Sequence, residues 1–104
     1  MRLGVTIEMI VEHALLHVRA GQEKAFEAAI REARPLIAAS PGFQGIEVRP
    51  ASEKSGTYLL LVRWESIAHH RDGFRQSDRY EQWRALLHHF YDPMPVVDYF
   101  GEPV

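Results

Sequence analysis

Residues 58–84, YLLLVRWESIAHHRDGFRQSDRYEQWR, hold the pattern that decides the fold of this chain. The stretch begins with a strand, Tyr58–Trp64, that is apolar on both faces, so both faces are predicted to be buried. Ser66 is a predicted N-cap of a short helix that follows the strand directly. A second helix is predicted to begin at Ser77 or Asp78, with aromatic and leucine residues at helical spacing after it. A buried strand followed by an aromatic-rich helix can form the wall of a pocket.

The rest of the chain supplies the other elements of a small α+β fold. The remaining predicted elements are a strand over 10–18, a helix over 22–39, an edge strand over 43–49 and a fourth strand over 96–100. The order β-α-β-β-α-β is that of a ferredoxin-like unit, with a four-stranded antiparallel sheet and both helices on one face. We expect a flexible lead-in over 1–9 and a single domain over 10–104.

Composition excludes several classes of function. The chain has 104 residues, a formal net charge of -2 and no cysteine. A near-neutral charge without a cluster of basic residues predicts that the protein has no nucleic-acid partner. The sequence also lacks an apolar run of ~18 residues, so no membrane span is predicted. The lack of cysteine rules out disulfides, thiolate catalysis and zinc–thiolate sites. We therefore predict a cytoplasmic protein that has no nucleic-acid or membrane partner.

The number of layers in the fold predicts a homodimer. Two helices cover only one face of a four-stranded sheet. The strands over 10–18 and 58–64 are apolar on both faces, and an uncovered face would be a large apolar patch. A second copy that packs sheet to sheet is the simplest cover.

The six histidines do not form an evident metal site. Four of them are adjacent pairs, His69-His70 and His88-His89, and helix neighbours point about 100° apart. Neither pair is therefore a good chelate, and we expect solvated or helix-end histidines and no bound metal. The sequence contains no Walker loop, nucleophile elbow or dinucleotide-binding glycine pattern.

An aromatic and cationic group is the remaining candidate for a site. Its members are Trp64, Phe74, Tyr80, Trp83 and Arg84. Aromatic side chains at helical spacing are often simply core residues. Trp64 differs because it ends a central strand, where a ligand crevice can open, and an indole N–H with an arginine can bind a planar, oxygen-bearing substrate.

Four segments together resemble the antibiotic-biosynthesis monooxygenase family. They are PGF at 41–43, YLLLVRWES at 58–66, GFRQSDRYEQWR at 73–84 and PMPVV at 93–97. The resemblance extends from about residue 10 to residue 100, with the segments in the family's order. It implies a dimeric α+β barrel built from two ferredoxin-like units. Members include cofactor-free oxygenases of anthrones and quinols, haem-degrading enzymes and proteins without a known substrate.

The anthrone-type branch of the family has an asparagine, a tryptophan, a tyrosine and an arginine in its pocket. By this resemblance Trp64 and Arg84 match the tryptophan and the arginine. Leu60 stands in place of the asparagine and His70 in place of the tyrosine. Without the asparagine amide the resemblance does not fix an anthrone as substrate, but a histidine can still accept a proton near neutral pH.

The haem-degrading branch matches less well. Its strand-one asparagine falls on His13, its helix tryptophan on Phe74 and its ligating histidine on Arg84. Because the ligand is replaced, the resemblance does not imply haem unless His88 or His89 substitutes for it.

The resulting hypothesis is an oxygenase without metal or organic cofactor that acts on a phenolic, quinol or anthrone-like aromatic substrate with O2. Trp64 would orient the ring, His70 or His13 would take a proton, and Arg84 would hold the oxyanion. Three further aromatic side chains would bind the substrate: Phe74, Tyr80 and Trp83. The alternative is a non-catalytic small-molecule-binding or stress-linked dimer on the same fold, because fold alone does not fix function.

Overall fold

A four-stranded antiparallel sheet organises the described residues, 9–104, of the computed structural model. Its strands are β1 (Ile10–His17), β2 (Phe43–Pro50), β3 (Thr57–Trp64) and β4 (Asp98–Phe100). The strand order is β2-β3-β1-β4, so the two most apolar strands lie at the centre. The ferredoxin-like arrangement is confirmed. Apart from Met9, the predicted lead-in over 1–9 lies outside the described residues.

Two helices pack on one face of this sheet. Helix α1 (Glu23–Ala38) buries an apolar stripe at helical spacing, and α2 (Asp78–Leu87) buries Trp83 and Leu87. The chain reaches α2 from β3 through a π-helical turn, His69–Gly73. A 3-10 turn follows before α2 begins. None of the helices described is long and apolar enough to cross a membrane.

Serine side chains bond to the backbone at the beginning of α2 and in the segment that leads to it. The Ser77 Oγ accepts a hydrogen bond from the backbone N–H of Tyr80 at 3.3 Å, so Ser77 is the N-cap of α2. The Ser66 Oγ accepts one from the backbone N–H of His69 at 3.3 Å. Gly42, with φ +81°, packs so closely against the His69 ring that a Cβ would overlap it. These contacts fix the position of the segment between β3 and α2.

Alternation along the strands separates two faces with different environments. The β3 residues that face the helices, from Tyr58 to Trp64, are at most 6% exposed. On the opposite face Leu59 and Leu61 are half-buried, and Leu15 of β1 is 45% exposed. In the single chain, only the helix side of the sheet is therefore buried.

The fourth strand is shorter than the sequence predicts. Pairing with β1 begins at Asp98, opposite His13, rather than at Val96. Val96 is 75% exposed, whereas Val97 packs against the core. The segment before β4 therefore borders both faces of the sheet: Met94 and Pro95 line a cavity on the helix side and a second one beside His13 on the open face.

Candidate functional site

A buried carboxyl group lies at the centre of the helix-covered face of the sheet. Glu12 of β1 is only 4% exposed. The Trp64 indole Nε1 donates a hydrogen bond to Glu12 Oε1 at 2.9 Å. The second carboxyl oxygen, Oε2, lies 3.4 Å from Nε2 of His70. Both oxygens of this buried carboxyl therefore have a polar partner.

Three elements of the fold bring these side chains together. Alternation along β1 turns Glu12 to the helix side, as it does Ala14 and Leu16. Trp64 ends β3 opposite Ile10 and points to the same side. The π-helical turn then places the His70 ring 5.5 Å from the Trp64 ring. Such turns occur often at functional sites.

Burial changes the proton affinity of both ionisable groups. It raises the pKa of Glu12 from 4.5 to about 7, although the Trp64 hydrogen bond and the Arg75 charge act in the opposite direction. Burial, with the charges of Arg75 and Arg71, lowers the pKa of His70 from 6.5 to about 4. At neutral pH the imidazole is therefore neutral and the carboxyl is close to half-ionised. The two groups are thus close neighbours, with 3.4 Å between Nε2 of His70 and Oε2 of Glu12.

Tyr99 extends this hydrogen-bonded group to β4. Its hydroxyl lies 2.6 Å from Nδ1 of His70, and it faces Glu12 across the β1–β4 pairing. A neutral imidazole has one donor and one acceptor nitrogen. With Nε2–H directed at an ionised Glu12, Nδ1 accepts a hydrogen bond from the Tyr99 hydroxyl. With Glu12 protonated, Nε2 can face the carboxyl O–H as an acceptor, and Nδ1–H can donate to the Tyr99 oxygen. The tautomer of His70 thus follows the charge of Glu12.

A cavity of about 290 Å³ opens next to this cluster, between the sheet and the helical layer. The sheet contributes Glu12 and apolar side chains, and the turns before α2 contribute His70 and Arg75. The aromatic part of the lining consists of Phe74, Tyr80, Trp83, His88 and Tyr91. The volume lies at the lower end of small-molecule sites, roughly 300–1,000 Å³. It suits a compact aromatic molecule.

Most of the residues predicted from the sequence lie at or beside this cavity. His70, Phe74, Tyr80 and Trp83 line it. Trp64 is fully buried behind them and acts on the cavity through its bond to the Glu12 carboxyl. The roles assigned to these side chains stay predictions.

Arg84 and His13 lie elsewhere in this chain. Arg84 is 54% exposed and pairs with Glu81 at 2.8 Å, so the prediction that it lines a pocket with Trp64 is wrong. The turn of about 100° from Trp83 carries it to the outer surface of α2. His13 points to the open face of the sheet, because it alternates with Glu12. It cannot be the proton acceptor of this cavity.

Three residues of the site were not predicted as such: Glu12, Arg75 and Tyr99. A sequence signal existed for Glu12, because it shares strand parity with Ala14 and Leu16, and a carboxylate within an inward-facing apolar series is unusual. Arg75 and Tyr99 reach the site through an irregular turn and a three-residue strand, which leave no periodic signal.

The described residues contain no group of three histidine, aspartate or glutamate side chains that could hold a metal ion. His69, for example, contacts Ser66 Oγ through Nδ1 at 2.8 Å. The adjacent His70 is turned to the opposite side, towards Glu12. The two histidines of this pair thus serve separate contacts.

Comparison with known proteins places the chain in a family. The sequence profile of the antibiotic biosynthesis monooxygenase family matches residues 9–86. The chain belongs to this family. The uncharacterized protein YczJ of Bacillus subtilis is 44% identical to this family member over 94 residues, which cover 90% of the chain and 99% of YczJ.

Solved structures of the antibiotic biosynthesis monooxygenase family share the fold. A proposed antibiotic biosynthesis monooxygenase from Bordetella bronchiseptica is similar with a TM-score of 0.89 and 33% identity, over 93% of this chain and 99% of that one. SnoaB of Streptomyces nogalater, a cofactor-independent oxygenase, is similar with a TM-score of 0.70 and 14% identity, over 95% and 94%. At that identity SnoaB supports only the fold.

Proposed function

We propose that this protein is a cofactor-independent monooxygenase of a small phenolic, quinol or anthrone-like molecule, with Glu12 and His70 as its proton-accepting pair. The observation that carries the proposal is a buried carboxyl with a pKa near neutrality in the wall of an aromatic cavity. Enzymes raise carboxyl pKa values in this way to obtain a base that works near pH 7. Family membership and the activity named for SnoaB agree with this chemistry.

The reaction needs electrons only from the substrate. A ring-activated CH2 group loses a proton to Glu12, and the carbanion passes one electron to O2. Recombination of the carbon radical with superoxide forms the C–O bond, and return of the proton gives a hydroperoxide. Loss of water then leaves a ketone, so one oxygen atom enters the product and the other leaves as water. The protein supplies Glu12 as the base that holds the proton, an aromatic cavity for the ring and the His70 imidazole beside the carboxyl.

Oxygen consumption tests this proposal. We expect uptake of O2 with at least one member of a panel of quinols and anthrones, with one atom of labelled oxygen in the product. Glu12→Gln should lower the turnover by about 10²–10⁴-fold, the range for loss of a general base. Glu81→Gln, a change at the exposed partner of Arg84, is the matched control and should leave turnover unchanged. Equal turnover in Glu12→Gln would overturn the assignment of the base.

A non-catalytic binding protein is the second candidate. It is favoured by one observation: both Glu12 oxygens already have protein neighbours, the Trp64 indole by a hydrogen bond and the His70 ring at 3.4 Å, as in a purely structural polar cluster. Ligand binding without O2 uptake across the panel would support this candidate. In that case Glu12→Gln would change stability but not ligand affinity.

We also propose that the open face of the sheet joins two copies of the chain. Leu15 and Phe100 are 45% and 54% exposed there, next to the half-buried Leu61. Such a patch favours a partner surface. We expect a homodimer that buries roughly 2,000 Å² or more. Leu61→Glu should give a monomer by sedimentation, whereas Ala85→Glu on exposed α2 should not; a wild-type monomer at micromolar concentration would refute the dimer.

A further inference from the structure

Arg75 is a cation at the wall of the cavity, and residues 9–104 provide no ion-pair partner for it. It lies in the 3-10 turn Phe74–Gln76, and it is the sole lysine or arginine among the described residues that line the cavity. The ion pairs of residues 9–104 include Arg49, Arg63 and Arg84, but not Arg75. The position thus offers an unneutralised positive charge to whatever enters.

Arg75 is itself exposed, but its charge acts on several groups of the site. It lowers the pKa values of Glu12, His70 and His88, which all line the cavity. Below neutral pH Glu12 does little to neutralise it, because burial raises the pKa of that carboxyl to about 7 and keeps it mainly protonated there. Burial also lowers the pKa values of His70 and His88, which favours the neutral form of both imidazoles. Arg75 is therefore the positively charged side chain that the described residues contribute to the cavity wall.

The guanidinium is held in a manner that leaves its donors available. Its central carbon lies 5.5 Å from the centroid of the Tyr80 ring, a cation–π contact that uses none of the N–H donors in a hydrogen bond. The N–H donors lie in the guanidinium plane and form a fork that matches a carboxylate. Tyr80, Phe74 and Trp83 present aromatic surface next to this fork.

We propose that the ligand of this cavity is an aromatic monoanion, whose carboxylate binds Arg75 while its ring lies against the aromatic wall. The assignment rests on the proposed function for its location, and it adds the substrate class: an aromatic acid rather than a neutral quinol. A ring hydroxyl or CH2 group directed inward from that carboxylate would approach Glu12. A single arginine with no second cation fits one negative charge rather than a phosphate dianion.

A binding measurement tests this inference without any turnover. The probes are 2-naphthoate and its neutral isostere 2-naphthamide, measured by titration calorimetry at pH 6.5. Wild type should bind the naphthoate at least about tenfold more tightly, as expected for a charge-assisted hydrogen bond. Arg75→Gln should remove that preference without weakening the amide, and Arg75→Lys should retain part of it. Arg84→Gln is the matched control, because it changes a surface arginine that already has a partner.

The outcomes separate this inference from the proposed function. Equal affinity of wild type for the two probes, or a naphthoate preference that survives in a folded Arg75→Gln, overturns the anion assignment. O2 uptake with a neutral quinol that is insensitive to Arg75→Gln also overturns it, but leaves the oxygenase proposal standing. A preference for naphthoate that depends on Arg75, without O2 uptake from any aromatic acid, supports the anion site and overturns the oxygenase.

Discussion

The buried Glu12 carboxyl should control how the stability of this protein changes with pH. The perturbation is Glu12→Gln, which keeps the shape of the side chain. A glutamine oxygen can still accept from the Trp64 indole, and its NH2 can donate to a neutral His70. The folded structure should therefore survive, and only the titration of this carboxyl is removed.

The sign of the effect follows from proton binding in the two states. The pKa of Glu12 is 4.5 at its ordinary value and about 7 in the folded protein. Between these pH values the unfolded chain binds fewer protons, so the free energy of unfolding falls as pH rises. Each pH unit is worth about 1.4 kcal/mol, so the loss amounts to about 3 kcal/mol by pH 8.

His70 contributes with the opposite sign. Its pKa falls from 6.5 to about 4 on folding, so the unfolded chain binds more protons in that window and stability rises with pH. In wild type the two contributions largely offset each other between pH 4.5 and 6.5. In Glu12→Gln only the His70 contribution remains, so stability should rise with pH. In His70→Asn only the Glu12 contribution remains, so stability should fall with pH.

Urea unfolding followed by circular dichroism from pH 4.5 to 8 measures this directly. The stability of Glu12→Gln relative to wild type should increase by about 3 kcal/mol over that range. For Glu81→Gln the free energy of unfolding should instead change with pH in parallel with that of wild type, because the exposed Glu81–Arg84 pair contributes little to stability. Parallel curves for Glu12→Gln and wild type would show that the carboxyl titrates normally, and would remove the argument for a neutral-pH base.

Further changes around the site give separate tests. Tyr99→Phe removes the hydroxyl at Nδ1 of His70 and should lower the free energy of unfolding by about 1 kcal/mol in urea titrations. Trp64→Phe removes a bond that lowers the pKa of Glu12, so carbon-13 NMR of that carboxyl should show a higher pKa; an unchanged value would contradict the contact. Ser77→Ala should cost about 1 kcal/mol by loss of the α2 cap, and no loss would exclude the capping role.

The regular part of the fold could be predicted from residue patterns. The alternation in β3 and the helical spacing after Ser77 each depend on local periodicity, and both elements form where predicted. The sequence left either Ser77 or Asp78 as the start of the second helix. The hydroxyl oxygen of Ser77 accepts a hydrogen bond from the N–H of Tyr80, so Ser77 is the N-cap. The short fourth strand depends on pairing with β1, which no local pattern records.

The site was less predictable because its geometry depends on irregular backbone. A π-helical turn places His70 inward and His69 outward, and an ordinary helical reading does not distinguish the two. The prediction for Arg84 was wrong for a different reason. A shift of one residue along α2 turns a side chain from the cavity to the solvent, and Arg84 lies on the solvent side with its partner Glu81. Arg84 matches the family's arginine by sequence position, but that match does not show which way the side chain turns. The salt bridge to Glu81 can be seen only in the structure.

The energetics of Glu12 connect the fold to the proposed chemistry. An ionised carboxyl in this position would reduce stability by about 3 kcal/mol above pH 7, a large part of the roughly 5–15 kcal/mol of a typical domain. A leucine on the same central strand would avoid that loss and still fit the inward-facing pattern of Ala14 and Leu16. A purely structural cluster gains little from a group that must lose a proton near neutral pH. A cavity base needs that property, and the hydrogen bond from Trp64 together with the neighbouring His70 ring holds the carboxyl in place for it.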